Sequence, residues 1–393
     1  MGEGKSTALR RLLRISVPFT LLSLLSIDLV LPSYLTRLGA SPLILGEIYS
    51  LRIGFRLAAR FVGGLLSGKL GYKRLLILSF SLRTASYWML YMGSGLQLCV
   101  VGLILLATSG GLESPAYLSL VALAGSKAAA SFGIALSLRM APAISAPLIT
   151  GVVAQEMGPR YIFGLTALLS LTSLGLVVML YPDHLKGGGR RGYRELLTRE
   201  FFLLMASASL LFTCVSGFRP FFYWWVTEVL HCDYTTLGSI VALGEVLAFF
   251  SRIYTGFIAE KIGYAAAYAL VGILRSASLA AMAVVSNLLA VALSYLALRG
   301  LMAAPSRNAL ISRITPREMY GLAYALVGLA MDSGALAGPV LMGLVVERYG
   351  PQEGFMLLSA LYLIFVLLAA QLRKVNYSQV VSRGNGSASP PDD

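Results

Sequence analysis

Charged side chains inside long apolar runs are the residues of this sequence that could do chemistry. The acidic ones are Asp28, Glu47, Glu113, Glu245 and Asp332. The basic ones are Arg52, Arg56, Arg60, Arg83, Arg139, Arg219, Arg252, Arg275 and Arg299. A charge inside a bilayer is costly, so such residues pair with each other or face a polar cavity, where they bind ions or charged solutes. They therefore mark either ion pairs between packed helices or a solute pathway.

Residues for covalent or metal-dependent catalysis are missing from this pattern. His184 and His231 lie in different loops, without the spacing of a metal site. The three cysteines, Cys99, Cys214 and Cys232, form no CxxC motif. No nucleophile is combined with a base in a way that indicates a catalytic centre. We therefore predict no cofactor, no metal ion and no enzymatic activity.

The composition places these charges in a membrane. Of 393 residues, 57% are hydrophobic and 13% are charged, whereas a soluble protein has about 25% charged residues. Many apolar runs reach the ~20 residues that a helix needs to cross a bilayer. The net charge of +14 is concentrated in alternate loops, which is the positive-inside pattern. The sequence thus predicts a polytopic membrane protein that binds no nucleic acid.

Twelve segments can be drawn as transmembrane helices. Their bounds are 12–36, 43–68, 74–93, 97–123, 127–154, 159–181, 201–229, 234–259, 263–286, 288–312, 319–346 and 352–372. Basic residues gather at the N-terminus, after the second segment, in the central loop and at the C-terminus. This asymmetry predicts a protein of the cell membrane whose termini and central loop are all cytoplasmic.

The sequence also repeats itself. Residues 45–52 resemble 237–244, and residues 60–72 resemble 252–264, each at a displacement of 192 positions. Six helices per copy leave both copies in the same orientation, so the pattern predicts two parallel six-helix bundles. The predicted division is an N-terminal bundle at 1–181, a cytoplasmic linker at 182–200, a C-terminal bundle at 201–375 and a disordered cytoplasmic tail at 376–393.

The turn after the second segment carries a glycine-rich, basic motif that occurs twice. The first copy contains Gly64, Gly68, Lys69, Gly71, Lys73 and Arg74, and the second contains Gly256, Glu260, Lys261 and Gly263. We interpret the first glycine of each copy, Gly64 and Gly256, as a site of close helix packing. The last glycine, Gly71 or Gly263, would permit a tight turn.

This motif resembles the cytoplasmic gate signature of the major facilitator superfamily. Gly68 replaces the acidic residue of that signature in the first copy, and Glu260 retains it in the second. The resemblance implies a monomeric secondary transporter that moves a small solute by alternating access, coupled to protons or driven by the solute's own gradient. Efflux of drug-like solutes or of organic anions would fit. The alternative is a receptor or scaffold that has a transporter fold.

The resemblance also assigns partners to the charges. In the family the second helix packs on the eleventh and the fifth on the eighth, which predicts Arg56 or Arg52 beside Asp332 and Arg139 beside Glu245. Charged residues without a like-charged counterpart in the other repeat are better candidates for binding a solute, because a solute has no two-fold symmetry. The predicted pathway residues are Asp28, Glu113, Arg139, Arg219 and Asp332. Asp28 and Arg219 would pair or bind opposite ends of a solute.

Overall fold

A computed structural model describes residues 13–124, 138, 141–181, 198–285, 287–315 and 320–372. We number the helices within those ranges α1 (13–22), α2 (Ile27–Arg37), α3 (Pro42–Leu70), α4 (Tyr72–Met92), α5 (Leu96–Ala124), α6 (Ala146–Met157), α7 (Pro159–Leu180), α8 (Arg199–Trp224), α9 (Tyr234–Ile262), α10 (Tyr264–Val284), α11 (Leu288–Arg299), α12 (Ala303–Ile314), α13 (Tyr320–Tyr349) and α14 (Pro351–Gln371). A π-helical turn, Trp225–Val229, extends α8. The predicted tail, most of the predicted linker, and Arg139 lie outside the described residues.

Nine helical spans in the described residues are long and apolar enough to cross a membrane. They include Leu13–Arg37, which combines α1 with α2, and Leu288–Ile314, which combines α11 with α12. α3 is not among them, since charged residues interrupt its apolar face. The chain is a multi-pass integral membrane protein.

Two predicted segments are not continuous helices. The segment 12–36 is non-helical at residues 23–26, where the backbone N–H of Ser26 donates to the Thr150 hydroxyl at 2.8 Å. The segment 288–312 is non-helical at residues 300–302, where the N–H of Met302 donates to the Thr255 hydroxyl at 3.4 Å. These hydroxyls satisfy donors that a helix end leaves unpaired. Within the described residues, the fifth segment has a 3-10 turn at Ala141–Ala143 before α6 begins.

The helix ends repeat at the displacement seen in the sequence. The bounds of α3 and α9 differ by 192 residues at both ends, and so do those of α4 and α10. Six described residues have positive φ angles, and they form three pairs with that separation: Gly39 with His231, Gly71 with Gly263, and Gly158 with Gly350. At Gly71 and Gly263 the φ angles are 79° and 91°, which confirms the tight turns.

The N-terminal part, residues 13–181, packs on the C-terminal part, residues 198–372, through three helix pairs. These pairs are α3 with α13, α6 with α9, and α2 with α8. α3 and α13 approach so closely that a Cβ on Gly46 would lie 2.3 Å from the Pro339 carbonyl oxygen. Small residues allow such backbone contact between helices in a bilayer, where close packing replaces the hydrophobic effect.

Candidate functional site

A central cavity of about 560 Å³ is lined by both parts of the chain. Residues of α1 to α5 form most of its wall, and residues of α8 and α13 complete it. The charged residues of the lining are Asp28, Arg52, Arg56, Arg60, Arg83, Glu113 and Arg219. Tyrosine and aliphatic side chains lie between them. A cavity of this volume with convergent polar and charged groups is large enough to hold a small molecule.

Asp28 is paired with Arg52, inside the N-terminal part. The Arg52 Nη1 atom donates to an Asp28 carboxylate oxygen at 3.2 Å. The Arg52 guanidinium also lies 5.0 Å from the centre of the Tyr49 ring. The alternative prediction of an Arg52–Asp332 pair is therefore wrong, because the depth of Arg52 along α3 brings it to α2 rather than to α13.

Asp332 of α13 is shared by two arginines of α3. One carboxylate oxygen lies 3.7 Å from the Arg56 Nη2 atom, and the other accepts a hydrogen bond from Arg60. The structure thus has the Arg56–Asp332 contact that was expected between the two parts. Arg60 is not among the predicted pathway or pairing residues, so its contact with Asp332 was not predicted from the sequence.

Arg83 and Glu113 form a second buried pair, between α4 and α5. The Arg83 Nη2 atom contacts a Glu113 carboxylate oxygen, and Arg83 Nε donates to the Ser109 hydroxyl at 3.1 Å. Both charged residues face the central cavity. Within the N-terminal part, each of the cavity's carboxylates therefore has an arginine partner.

Arg219 lies on the opposite wall. Its Nε atom donates to the Tyr223 hydroxyl at 3.1 Å, one turn along α8. Asp28 and Arg219 both line the cavity, yet the carboxylate that Arg219 was expected to meet is bonded to Arg52. Among the described residues, no carboxylate pairs with Arg219.

A smaller cavity of about 190 Å³ lies within the C-terminal part and shares part of its lining with the central one, including Arg219 and Tyr223. Glu245 of α9 lines it and pairs with Arg299 of α11 at 2.6 Å. Arg139 is outside the described residues, so its expected contact with Glu245 stays a prediction. The described partner of Glu245 belongs to the same part of the chain.

The gate motif does not pack as we predicted. A Cβ placed on Gly64 or on Gly256 would meet no heavy atom within 4 Å, so neither glycine is required for close helix packing. The close approach of α3 to α5 occurs at Gly111 instead, where a Cβ would lie 2.4 Å from the Arg56 carbonyl oxygen.

The charges of the motif lie at the ends of α3 and α9 and the start of α4. Arg74, Glu260 and Lys261 are exposed, and Lys73 is partly buried. The surroundings of Gly68 and of the Lys69 side chain are outside what the structure describes.

Direct contacts join the two parts at one end of the molecule, which we call the closed end and define by residues 33–46, 151–155, 227–238 and 338–347. The hydroxyl groups of Ser33 and Thr227 are 2.5 Å apart. A Cβ on Gly151 would lie 2.4 Å from the Tyr234 carbonyl oxygen. The Leu43 N–H donates to the Glu347 carboxylate at 3.0 Å.

The family model described as Major Facilitator Superfamily matches residues 18–304 and 281–387. The chain belongs to the major facilitator superfamily. Together with its apolar helices, this membership makes it a membrane transporter by family. Within the described residues, no group of three or more His, Cys, Asp and Glu side chains could hold a metal ion.

Solved structures of superfamily transporters share the fold. A bacterial homolog of the human lysosomal transporter Spinster, in an inward-facing and occupied conformation, has a TM-score of 0.77 at 11% identity, over 93% of this chain and 97% of that one. The nucleoside transporter NupG has a TM-score of 0.73 at 13% identity, over 93% and 100%.

A variant of the peptide transporter POT, in complex with sulfate, has a TM-score of 0.72 at 14% identity, over 92% and 93% of the two chains. No curated protein sequence matches significantly. Identities this low show the fold alone.

Sequence reasoning missed two arginines of the smaller cavity, Arg275 and Arg307. Neither is among the predicted pathway residues, although Arg275 is one of the charges inside an apolar run. Both line the smaller cavity. The sequence has a proline at position 305, displaced by 192 from Glu113, so Arg275 lacks a counterpart of the carboxylate that pairs with Arg83.

Proposed function

We propose that this chain is a secondary transporter that moves a small organic solute by alternating access through the central cavity. One observation carries the proposal: the cavity is lined by both parts of the chain, and the contacts between those parts close it at one end. Rocking of one part against the other would separate the closed end and open the cavity there. This mechanism needs no nucleotide and no cofactor.

The proposed architecture is twelve transmembrane helices in two parallel six-helix repeats, residues 1–181 and 201–375. The equal displacement of helix ends and of positive-φ residues supports it. α1 with α2 would form one crossing, as would α11 with α12. Under the positive-inside rule both termini are cytoplasmic, so the closed end is external and the cavity opens inward. The similarity to an inward-facing transporter supports this orientation.

The proposed coupling site is Asp332, with protons as the coupling ion. Its carboxylate links the two parts through Arg56 and Arg60, so the link must change when the parts rock. Protonation of Asp332 would release both arginines at once. Efflux of the solute driven by inward proton movement would use this coupling.

A cysteine pair tests alternating access without a known solute. In a background with the three native cysteines replaced, Ser33→Cys and Thr227→Cys place two thiols where the hydroxyls are 2.5 Å apart, close enough for a disulfide. A third substitution, Ser114→Cys in the wall of the central cavity, reports whether a thiol reagent can enter that cavity. Before oxidation, a membrane-impermeant thiol reagent should modify Ser114→Cys from either side of oriented vesicles. Oxidation, which forms the disulfide, should abolish modification by reagent added from the closed end only. Reduction of the disulfide should restore that modification.

The same measurement separates the transporter from a receptor or scaffold with this fold. A static cavity would react with the reagent from one side, with or without the disulfide. Ser114→Cys without the cysteine pair is the control, and the oxidant should leave its reactivity unchanged. One-sided reactivity before oxidation would contradict alternating access.

A further inference from the structure

We propose that the smaller cavity binds the anionic group of the solute, which makes the solute an organic anion with a carboxylate, phosphate or sulfonate group beside an apolar or aromatic body. This inference rests on the proposed transport function and names its substrate class. The site would comprise Arg219, Arg275 and Arg307, with the aromatic side chains around them.

The charges of the smaller cavity do not balance. Four arginines line it, Arg219, Arg275, Arg299 and Arg307, but Glu245 is its one lining carboxylate. Glu245 is paired with Arg299 at 2.6 Å. Arg275 and Arg307 therefore have no carboxylate partner among the described residues. Arg219 forms no ion pair there either, although Asp28 and Glu245 lie near enough to interact with its charge.

Among the described residues, the hydrogen bonds of Arg219, Arg275 and Arg307 go to neutral groups. Arg275 is 6% exposed, and it donates to the Tyr362 hydroxyl at 3.2 Å while its Nε atom has no partner. The Arg307 Nε atom also has no partner, and its guanidinium lies 5.8 Å from the Phe212 ring centre. Buried donors without acceptors are costly and rare in folded proteins.

The equivalent arginine of the N-terminal part has a carboxylate partner that Arg275 lacks. Arg83 precedes Arg275 by 192 positions, and it is paired with Glu113. The residue 192 positions after Glu113 is Pro305, which has no charge to offer. A buried arginine is tolerated when an anion is paired with it. In the N-terminal part that anion is a side chain, and in the C-terminal part a solute would supply it.

The shape of the cavity limits the rest of the solute. Phe218 and Tyr295 line it, and Phe222 stacks on Tyr295 with ring centres 4.6 Å apart, so an aromatic wall faces the arginines. The volume of about 190 Å³ admits a charged group and one ring rather than a large solute. Arg219 and Tyr223 line both cavities, so a longer body would extend into the central one.

Thermal unfolding of the purified full-length protein tests the site, with phenyl phosphate as the probe. The protein is held in nanodiscs of phosphatidylcholine, so that no anionic lipid competes. We expect a saturable rise in Tm with phenyl phosphate, since binding to the native state stabilises it. Benzylamine and benzyl alcohol have the ring without the anion and should give no rise. Inorganic phosphate should bind at least tenfold more weakly, since it lacks the ring.

Variants locate the binding. Arg275→Gln and Arg307→Gln should each weaken phenyl phosphate binding at least tenfold, because each removes a charge-assisted contact. Arg313→Gln is the matched control: Arg313 is on α12 with Arg307 but stacks on Tyr264 at 4.5 Å outside the cavity. It should change the affinity less than twofold. Without probe, Arg275→Gln should keep or raise the Tm, since it removes an unpaired charge.

Three results would overturn the proposal. The first is an equal Tm rise with benzylamine or benzyl alcohol, which would show that the anion is not recognised. The second is a phenyl phosphate response that Arg275→Gln and Arg307→Gln leave intact. The third comes from nanodiscs that contain phosphatidylglycerol: if this lipid abolishes the phenyl phosphate response, the pocket binds a lipid headgroup rather than a solute. The disulfide test of alternating access uses no ligand. Its result can therefore reject the transport proposal without the anion-binding proposal, and the thermal unfolding experiment can do the reverse.

Discussion

Arg56 and Asp332 lie 3.7 Å apart and join the N-terminal part of the chain to the C-terminal part. Asp332 is 14% exposed and also contacts Arg60, whereas the Arg56 side chain is 41% exposed. The cluster is therefore asymmetric: loss of the carboxylate leaves two arginines unpaired, and loss of Arg56 leaves one pair intact.

Thermal stability should follow this asymmetry. Asp332→Asn should lower the free energy of unfolding by an amount between the ~1 kcal/mol of an exposed pair and the ~3–5 kcal/mol of a broken buried pair. Arg56→Gln should cost less, because Arg60 still holds Asp332. The double variant should be less destabilised than the sum of the two single variants. Additive losses would mean that the two residues do not interact.

Close packing of α3 on α13 gives a second prediction. A Cβ on Gly46 would lie 2.3 Å from the Pro339 carbonyl oxygen, and a backbone atom cannot move aside as a side chain does. Gly46→Ala should therefore destabilise the closed end by about 1–3 kcal/mol. It should also raise the reactivity of Ser114→Cys toward reagent added from that end.

Gly256→Ala is the matched control for Gly46→Ala. It is also a helical glycine, but a Cβ there meets no heavy atom within 4 Å. Alanine should be neutral or stabilise by up to about 1 kcal/mol, because it lowers the entropy cost of the helix. Equal losses from both substitutions would contradict the packing argument.

The helices could largely be predicted from the sequence, because apolar runs and their glycine turns are local features. The turn at Gly71 recurs at Gly263, and the cap Ser41 recurs as Asp233. The breaks at 23–26 and 300–302 could not be predicted. Each depends on a hydroxyl from a distant helix, Thr150 or Thr255, and such a contact exists only after folding.

The charges of the site could be found from the sequence, but not their partners. Arg52, Arg56 and Arg60 follow one another at one-turn intervals on α3, so all three project toward similar neighbours. The depth of α3 relative to α2 and α13 decides that Arg52 meets Asp28 while the other two meet Asp332. No local pattern encodes that depth.

Orientation in the membrane is a third prediction. Ser41 caps α3 at the closed end, and Lys261 is exposed at the far end of α9. In a cysteine-free background, Ser41→Cys should be labelled by an impermeant maleimide only from outside the cell, and Lys261→Cys only from the cytoplasmic side. The reverse result would place the closed end inside and invert the proposed direction of opening.

The last prediction concerns the pH dependence of one helix cap, in the loop before α9. The Asp233 carboxylate accepts hydrogen bonds from the Thr236 hydroxyl at 2.6 Å and from the Thr236 backbone N–H at 2.8 Å. These bonds favour the ionised carboxylate and lower the pKa of Asp233 below its ordinary value. The cap therefore stabilises the protein fully above the unfolded-state pKa of about 3.9, and the stabilisation is lost as the pH falls through the lower folded-state pKa.

The equivalent cap in the N-terminal part supplies the control for Asp233. Ser41 caps α3 with a hydroxyl that does not titrate, so Asp233→Ser should retain most of the stability at pH 7 and lose the acid-dependent component. Asp233→Ala should lose about 1 kcal/mol at pH 7, as expected for removal of a helix N-cap. Tm measured from pH 3 to pH 7 should fall more steeply at the acid end for the unmodified chain than for Asp233→Ser. If the two curves stay parallel over that range, Asp233 does not cap α9 as an ionised group.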